Sequence, residues 1–104
     1  MQCIVVYDIP KTKIRKKVAD YCLDYGLTRI QFSAFMGELN VNRQGELLQK
    51  ITRKVGKNDA NVQVIPICQQ DMEKRKELVV NGYVLGQSSK SGEEKQTGAG
   101  MSNG

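Results

Sequence analysis

The stretch Cys3-Ile4-Val5-Val6-Tyr7-Asp8-Ile9-Pro10, followed by the basic run Lys11-Thr12-Lys13-Ile14-Arg15-Lys16-Lys17, decides how this chain folds. Residues 2–8 read as a first strand. Its two alternating sides, Cys3/Val5/Tyr7 and Ile4/Val6, are both apolar, which predicts cover on both faces. Asp8 ends the apolar run, and Pro10 cannot extend a central strand but is tolerated at a helix entry. A first helix is expected from Lys11 or Thr12 to Tyr25, because Ile14, Val18, Tyr21, Cys22 and Tyr25 recur at helical spacing. Gly26 stands where a left-handed C-terminal cap belongs.

Further along, Thr28 to Leu39 reads as extended chain. Ile30 and Phe32 point one way, and Arg29, Gln31 and Ser33 the other. The phase then slips, with Phe35, Gly37 and Leu39 in step, so a tight turn or bulge is expected near Ser33-Ala34. A second helix fits Arg43 to Val55, with Leu47, Leu48, Ile51 and Val55 as its buried stripe and Gly56 ending it. Lys57-Asn58-Asp59 is a turn, and Val62 to Cys68 another strand. Pro66 has no amide to donate, which places that end on a sheet edge. Asp71 to Leu78 is expected as a short helix, and Val79 to Leu85 as a last short strand.

The order is β-α-β-β-α-β with an additional C-terminal strand, an α+β, ferredoxin-like pattern. Two helices cover only one face of such a sheet, yet the first and fourth strands are apolar on both. An identical face related by a two-fold axis is the economical cover, so a sheet-to-sheet homodimer is expected.

Composition narrows the partners. The 104 residues carry 16 Lys+Arg, 11 Asp+Glu and no His, a formal charge of +5. From Gly86 onward the chain is Gly/Ser-rich and polar, with too little to bury to offset its ordering entropy. The expected division is a ferredoxin-like domain over 1–85 and a disordered tail over 86–104. The tail's two Lys cancel its two Glu, so the positive charge belongs to the domain. A domain of that size has a thin core and gains from burying more surface in a dimer. An excess of cations on a small domain points to an acidic partner, nucleic acid being the usual one. The plainer alternative is a solvated basic surface.

No apolar stretch approaches the roughly 20 residues that span a bilayer, so no membrane association is expected. The N-terminal run is too short for a signal sequence and is broken by Asp8. Cys3, Cys22 and Cys68 are odd in number and lack C-x-x-C spacing. That speaks against a zinc ribbon or a disulfide framework and fits a reducing cytoplasm.

Asp8 is the best chemical handle, with two readings. As structure, a carboxylate just before a helix caps its free amides. As chemistry, it ligates a divalent cation such as magnesium, which is often held by only one or two carboxylates, with waters and phosphate oxygens completing its shell. A second copy of the chain would supply the second carboxylate. Without histidine, metal-activated water is the best route to phosphodiester cleavage. Lys11, Lys13, Arg15, Lys16 and Lys17 crowd the start of the first helix, where cations oppose the helix dipole. Binding of phosphate at a helix start compensates for that; extension into water is the alternative. Arg29 offers a planar fork for bidentate phosphate contact. Tyr7, Phe32, Phe35 and Tyr83 at strand spacing read as core ahead of base-stacking residues. Ser33 either bonds phosphate or terminates a strand.

These residues also carry a resemblance. Ile4-Val5-Val6-Tyr7-Asp8-Ile9, Arg15-Lys16-Lys17-Val18 and the run Tyr25 to Leu39, with its Q-x-S-x-F-x-G-x-L pattern, closely resemble the small CRISPR-associated Cas-two family. The strand Val62 to Cys68 is similar too, so the likeness covers about residues 1–70. The resemblance implies a ferredoxin-like homodimer acting in spacer acquisition beside the CRISPR-associated integrase, in a prokaryotic cytoplasm. It implies a magnesium-dependent endonuclease acting on RNA or DNA, or else a non-catalytic basic bridge that holds duplex DNA between integrase subunits. By position Asp8 matches the family's catalytic, metal-ligating aspartate. Tyr7, Arg15, Arg29, Ser33 and Phe35 match residues around that site. The resemblance also implies exchange of the last strand, Val79 to Leu85, between subunits. After Cys68 the sequence departs from the family pattern, with Gln69-Gln70 and the Gly-rich tail.

Overall fold

The computed structural model describes residues 1–81. The elements run in the order β1 (Gln2–Asp8), α1 (Thr12–Asp24), β2 (Thr28–Gln31), β3 (Ala34–Glu38), α2 (Val41–Val55), β4 (Asn61–Ile67) and α3 (Gln69–Glu73). The strands form one antiparallel sheet ordered β2-β3-β1-β4. Each helix that follows an inner strand crosses over to an outer one, as the ferredoxin-like order requires. No helix among the described residues is long and apolar enough to cross a membrane.

The period-2 pattern of β1 sorts its side chains cleanly. Cys3, Val5 and Tyr7 are buried and meet Phe35 of β3, Ile14, Val18 and Cys22 of α1, and Leu47 and Ile51 of α2 in one cluster. Cross-strand register keeps Val5, Phe35 and Val64 on this covered side. The opposite side carries the row Ile65, Ile4, Met36 and Thr28. There Ile4 and Met36 are half-buried and Ile65 is exposed. No helix of the core lies on that side, in keeping with the expectation that two helices cover one face only.

Local chemistry sets the helix ends. α1 closes in a Schellman arrangement: the Gly26 amide donates to Leu23 O at 2.9 Å and the Leu27 amide to Cys22 O at 3.1 Å. Gly26 adopts φ +82°, a conformation that favours glycine. α2 starts at Val41, two residues ahead of the expected Arg43. The cause is Asn40, whose side-chain oxygen accepts from the Arg43 amide at 2.8 Å. Leu48, expected in the buried stripe, is exposed, while Leu47 and Ile51 carry the contact with the core.

The hairpin departs from expectation in phase. The turn falls at Phe32-Ser33, so β3 begins at Ala34, and the register shifts between Arg29 and Gln31. The bulge arrives before the turn, so Arg29 pairs with Phe35 on the covered side. Arg29 was expected on a polar face; instead it stands at the margin of the core.

β4 lies on an outer edge, as Pro66 indicated. The third helix is a single turn at Gln69–Glu73 in place of Asp71 to Leu78. The sequence there offers no apolar stripe to extend it, and the chain from 75 to 80 is irregular. That segment passes near the open side of the sheet, where an Arg75 guanidinium nitrogen lies 3.7 Å from Met36 Sδ. Val79 and Val80 are not in a strand. The rest of the expected last strand, Tyr83 and the tail over 86–104 lie outside the described residues.

Candidate functional site

Asp8 is the last residue of β1, opposite Asn61 of β4, and its side chain is exposed. Buried neighbours, Tyr7 and Ile9, hold the backbone on either side. The capping reading is not realised. The N-cap of α1 is Lys11, and no side chain caps that helix. Among the described residues the exposed Asp8 carboxylate makes neither a hydrogen bond nor an ion pair. No group of three or more His, Cys, Asp and Glu that could hold a metal exists among the described residues. Asp8 by itself is a donor set that fits magnesium only as a partial shell.

The basic residues around it divide into two groups. Arg15 is committed to the β1–α1 connection: one guanidinium nitrogen donates to Ile9 O at 2.9 Å and to Pro10 O at 3.3 Å, the other to Thr12 Oγ1 at 3.1 Å. Lys11 Nζ donates to Asn58 Oδ1 at 3.0 Å and ties that loop to the turn before β4. Lys13, Lys16 and Lys17 are exposed on α1. Lys17 and Lys50 both lie over the Tyr21 ring, at 5.6 and 4.9 Å. The first turn of α1 contains no acidic residue to offset the free amides there.

Tyr7, the residue before Asp8, belongs to an aromatic and cationic group on the covered side of the sheet. Tyr7 and Phe35 stack with ring centroids 6.3 Å apart and an interplanar angle of 17°. The Tyr7 amide donates to Ser33 O at 3.0 Å, so Ser33 closes the strand through its backbone. The Arg29 guanidinium lies 5.0 Å from the Phe35 centroid. Burial pushes the Tyr7 phenol above its ordinary pKa, and the charge of Arg29 draws it back in part. Arg29 acts there as a charge beside the hydroxyl and not as an aligned donor, since neither the Tyr7 hydroxyl nor Arg29 Nε has a hydrogen-bond partner. Two buried polar atoms without partners at one place are unusual.

The structure therefore brings Tyr7, Arg29 and Phe35 together and places Asp8 and Ser33 beside them along the chain. Arg15 and Lys11 serve the loop that carries Asp8 into α1. Tyr7 and Phe35 are core, as strand spacing indicated. Phe32 is not: it is 59% exposed and lies 5.8 Å from the guanidinium carbons of both Arg15 and Arg29. Strand periodicity misplaced it, and its position in the hairpin turn is the signal that would have found it.

The model of the family described as CRISPR associated protein Cas2 matches residues 1–75. This chain belongs to the Cas2 family. A relative from Chloroflexus aurantiacus, named CRISPR-associated endoribonuclease Cas2 2, is 56% identical over 64 residues, covering 62% of this chain and 75% of that protein. A CRISPR-associated endonuclease Cas1/endonuclease Cas2 fusion from Thermoproteus tenax is 37% identical over 73 residues, covering 70% of this chain and 28% of the fusion. Among solved structures, Streptococcus pyogenes Cas2 matches with a TM-score of 0.64 at 21% identity, covering 76% of this chain and all of that one. At that identity the Cas2 structure speaks for the fold alone, and it agrees with the fold described above.

Proposed function

We propose that this chain works in CRISPR adaptation as a homodimer with metal-dependent endonuclease activity on RNA or DNA, and that Asp8 is its metal ligand. The observation that carries this reading is the exposed Asp8 carboxylate, without a hydrogen-bond or ion-pair partner among the described residues, at the end of β1 just ahead of the basic start of α1. Membership of the Cas2 family and the endoribonuclease name of the Chloroflexus relative support it. The apolar, helix-free side of the sheet supports pairing with a second copy, which brings a second Asp8. The Cas1/Cas2 fusion supports a Cas1-type integrase as partner.

In this reading Asp8 from each copy would hold magnesium or another divalent cation, which would supply the charge that activates water and steadies the phosphoryl oxygens. The chain's own residues do the positioning. Arg15 and Lys11 fix the loop that presents Asp8, and Lys13, Lys16, Lys17 and Arg29 attract the phosphate backbone. A second reading has its own support: a single carboxylate without further ligands suits a basic bridge that holds duplex DNA between integrase subunits without cutting it.

Asp8→Ala separates the two. The nuclease reading expects purified Asp8→Ala protein to lose magnesium-dependent cleavage and spacer acquisition while it still dimerises. Retained acquisition with lost cleavage favours the bridge, and undiminished cleavage removes Asp8 from the chemistry.

A further inference from the structure

Phe32 stands apart from the other aromatics of the site by facing water. It is flanked by the Arg15 and Arg29 guanidiniums, both within cation–π range of its ring. Beside it opens a recess of about 420 Å³, within the range usual for ligand sites. Phe32 and Leu23, the latter 55% exposed, give the recess an apolar lining. Arg15, Lys16 and Arg29 place three cations on its wall against one carboxylate, Asp20.

A flat apolar surface and an excess of positive charge in one opening call for a ligand that is both flat and anionic. A nucleotide is such a ligand. We propose that this recess receives a single unpaired nucleobase, stacked on Phe32, with the adjoining phosphate on Lys16 and Arg29. The inference rests on the reading that the chain binds nucleic acid and narrows it to a strand with a base out of its duplex. A base in the interior of a duplex has both π faces covered by its neighbours and cannot stack on a side chain; only the two end pairs leave a face free. Asp20, whose ionised carboxylate can only accept, would meet the hydrogen-bond donors of a base edge. An acidic peptide meets the charge but leaves the exposed ring without a flat partner.

The test uses the full chain with a single-stranded oligonucleotide carrying one 2-aminopurine and with a blunt duplex of equal length. The wild-type protein is expected to bind both and to quench the 2-aminopurine by stacking. Phe32→Ala should abolish the quench and weaken single-strand binding by roughly 5- to 150-fold. It should weaken duplex binding by a clearly smaller factor, and Phe32→Tyr should retain the quench. An equal loss on both ligands, or no quench by the wild type, overturns the base site while leaving nucleic-acid binding standing. Competition by a Glu-rich peptide, lost in Phe32→Ala, with no effect of that variant on single strands also overturns it, in favour of a protein partner. Wild-type protein that binds neither oligonucleotide overturns the nucleic-acid reading itself.

Discussion

The Arg15 guanidinium turns back across the entry of α1 and donates to the carbonyl oxygen of Ile9 at 2.9 Å, one residue beyond Asp8. Further bonds to Pro10 O and Thr12 Oγ1 make this side chain a brace for the whole β1–α1 connection. Charge-assisted bonds of this kind contribute about 1.5–3 kcal/mol when well buried, and the partial exposure of Arg15 reduces that. Arg15→Ala is expected to lower stability by about 1–2 kcal/mol, or a melting temperature by roughly 4–16 °C for a domain of this size. An unchanged thermal transition in the variant shows that the loop stands without its brace.

Gly37 and Gly26 fail differently on substitution. A Cβ at Gly37 would meet Leu27 Cδ2 at 2.9 Å and Leu27 Cα at 3.3 Å. The side-chain atom can move but the backbone atom cannot, so Gly37→Ala is expected to cost about 1–3 kcal/mol. A Cβ at Gly26 meets nothing within 4 Å, and the penalty there comes only from φ +82°, about 1–2 kcal/mol for an L-residue. Urea titration measures both. Asn at position 26, which tolerates this backbone region, should recover part of the loss, whereas Gly37→Asn should be worse than Gly37→Ala.

Tyr7→Phe removes a buried hydroxyl that has no hydrogen-bond partner. The variant is expected to be as stable as the parent or up to about 1 kcal/mol more stable, since no bond is lost and a desolvated group is deleted. A loss of more than about 1 kcal/mol in urea titration means that the hydroxyl is satisfied in solution. Arg29→Ala has a different readout: if the guanidinium meets phosphate, the salt slope of oligonucleotide binding falls by about one unit. A slope equal to the parent's removes Arg29 from the phosphate contacts.

Alkaline sensitivity follows from a buried thiol. Burial pushes the Cys22 pKa from 9.0 up to about 12. The folded state then keeps a proton that the unfolded chain releases, so the stability contribution is complete below about pH 9 and is lost as pH rises through 12. Cys22→Ala should flatten the decline of the urea midpoint between pH 9 and the highest pH reached. Thiol labelling at neutral pH offers a second check: exposed Cys68 should react quickly, and buried Cys3 and Cys22 only on unfolding. Rapid labelling of all three contradicts the packing described.

Much of the fold was legible because β1 is apolar on both alternating sides and each long helix carries a stripe at helical spacing. Those periods fix element type, and the glycines at 26 and 56 fix two ends. What was not legible depended on single local interactions. The Asn40 cap lengthened α2, and a bulge between Arg29 and Gln31 reversed the side on which Arg29 falls. That one shift moved Arg29 from the polar side of its strand to a place beside Tyr7 and Phe35. In the same way Asp8 was identified by its position at a strand end, but its lack of partners depends on Lys11, not Asp8, entering the helix as N-cap. The commitment of Arg15 to backbone carbonyls carries no sequence signal, since a loop conformation is what calls it there.

The residues on either side of Asp8 are only 4% and 2% exposed. With Tyr7 and Ile9 wedged into the interior, this acid has its own side-chain torsions to adjust and little else. Any tuning of its chemistry must then come from whatever is brought up to it, be it an ion, a strand of nucleic acid or a sister chain, and not from a hinge within the subunit.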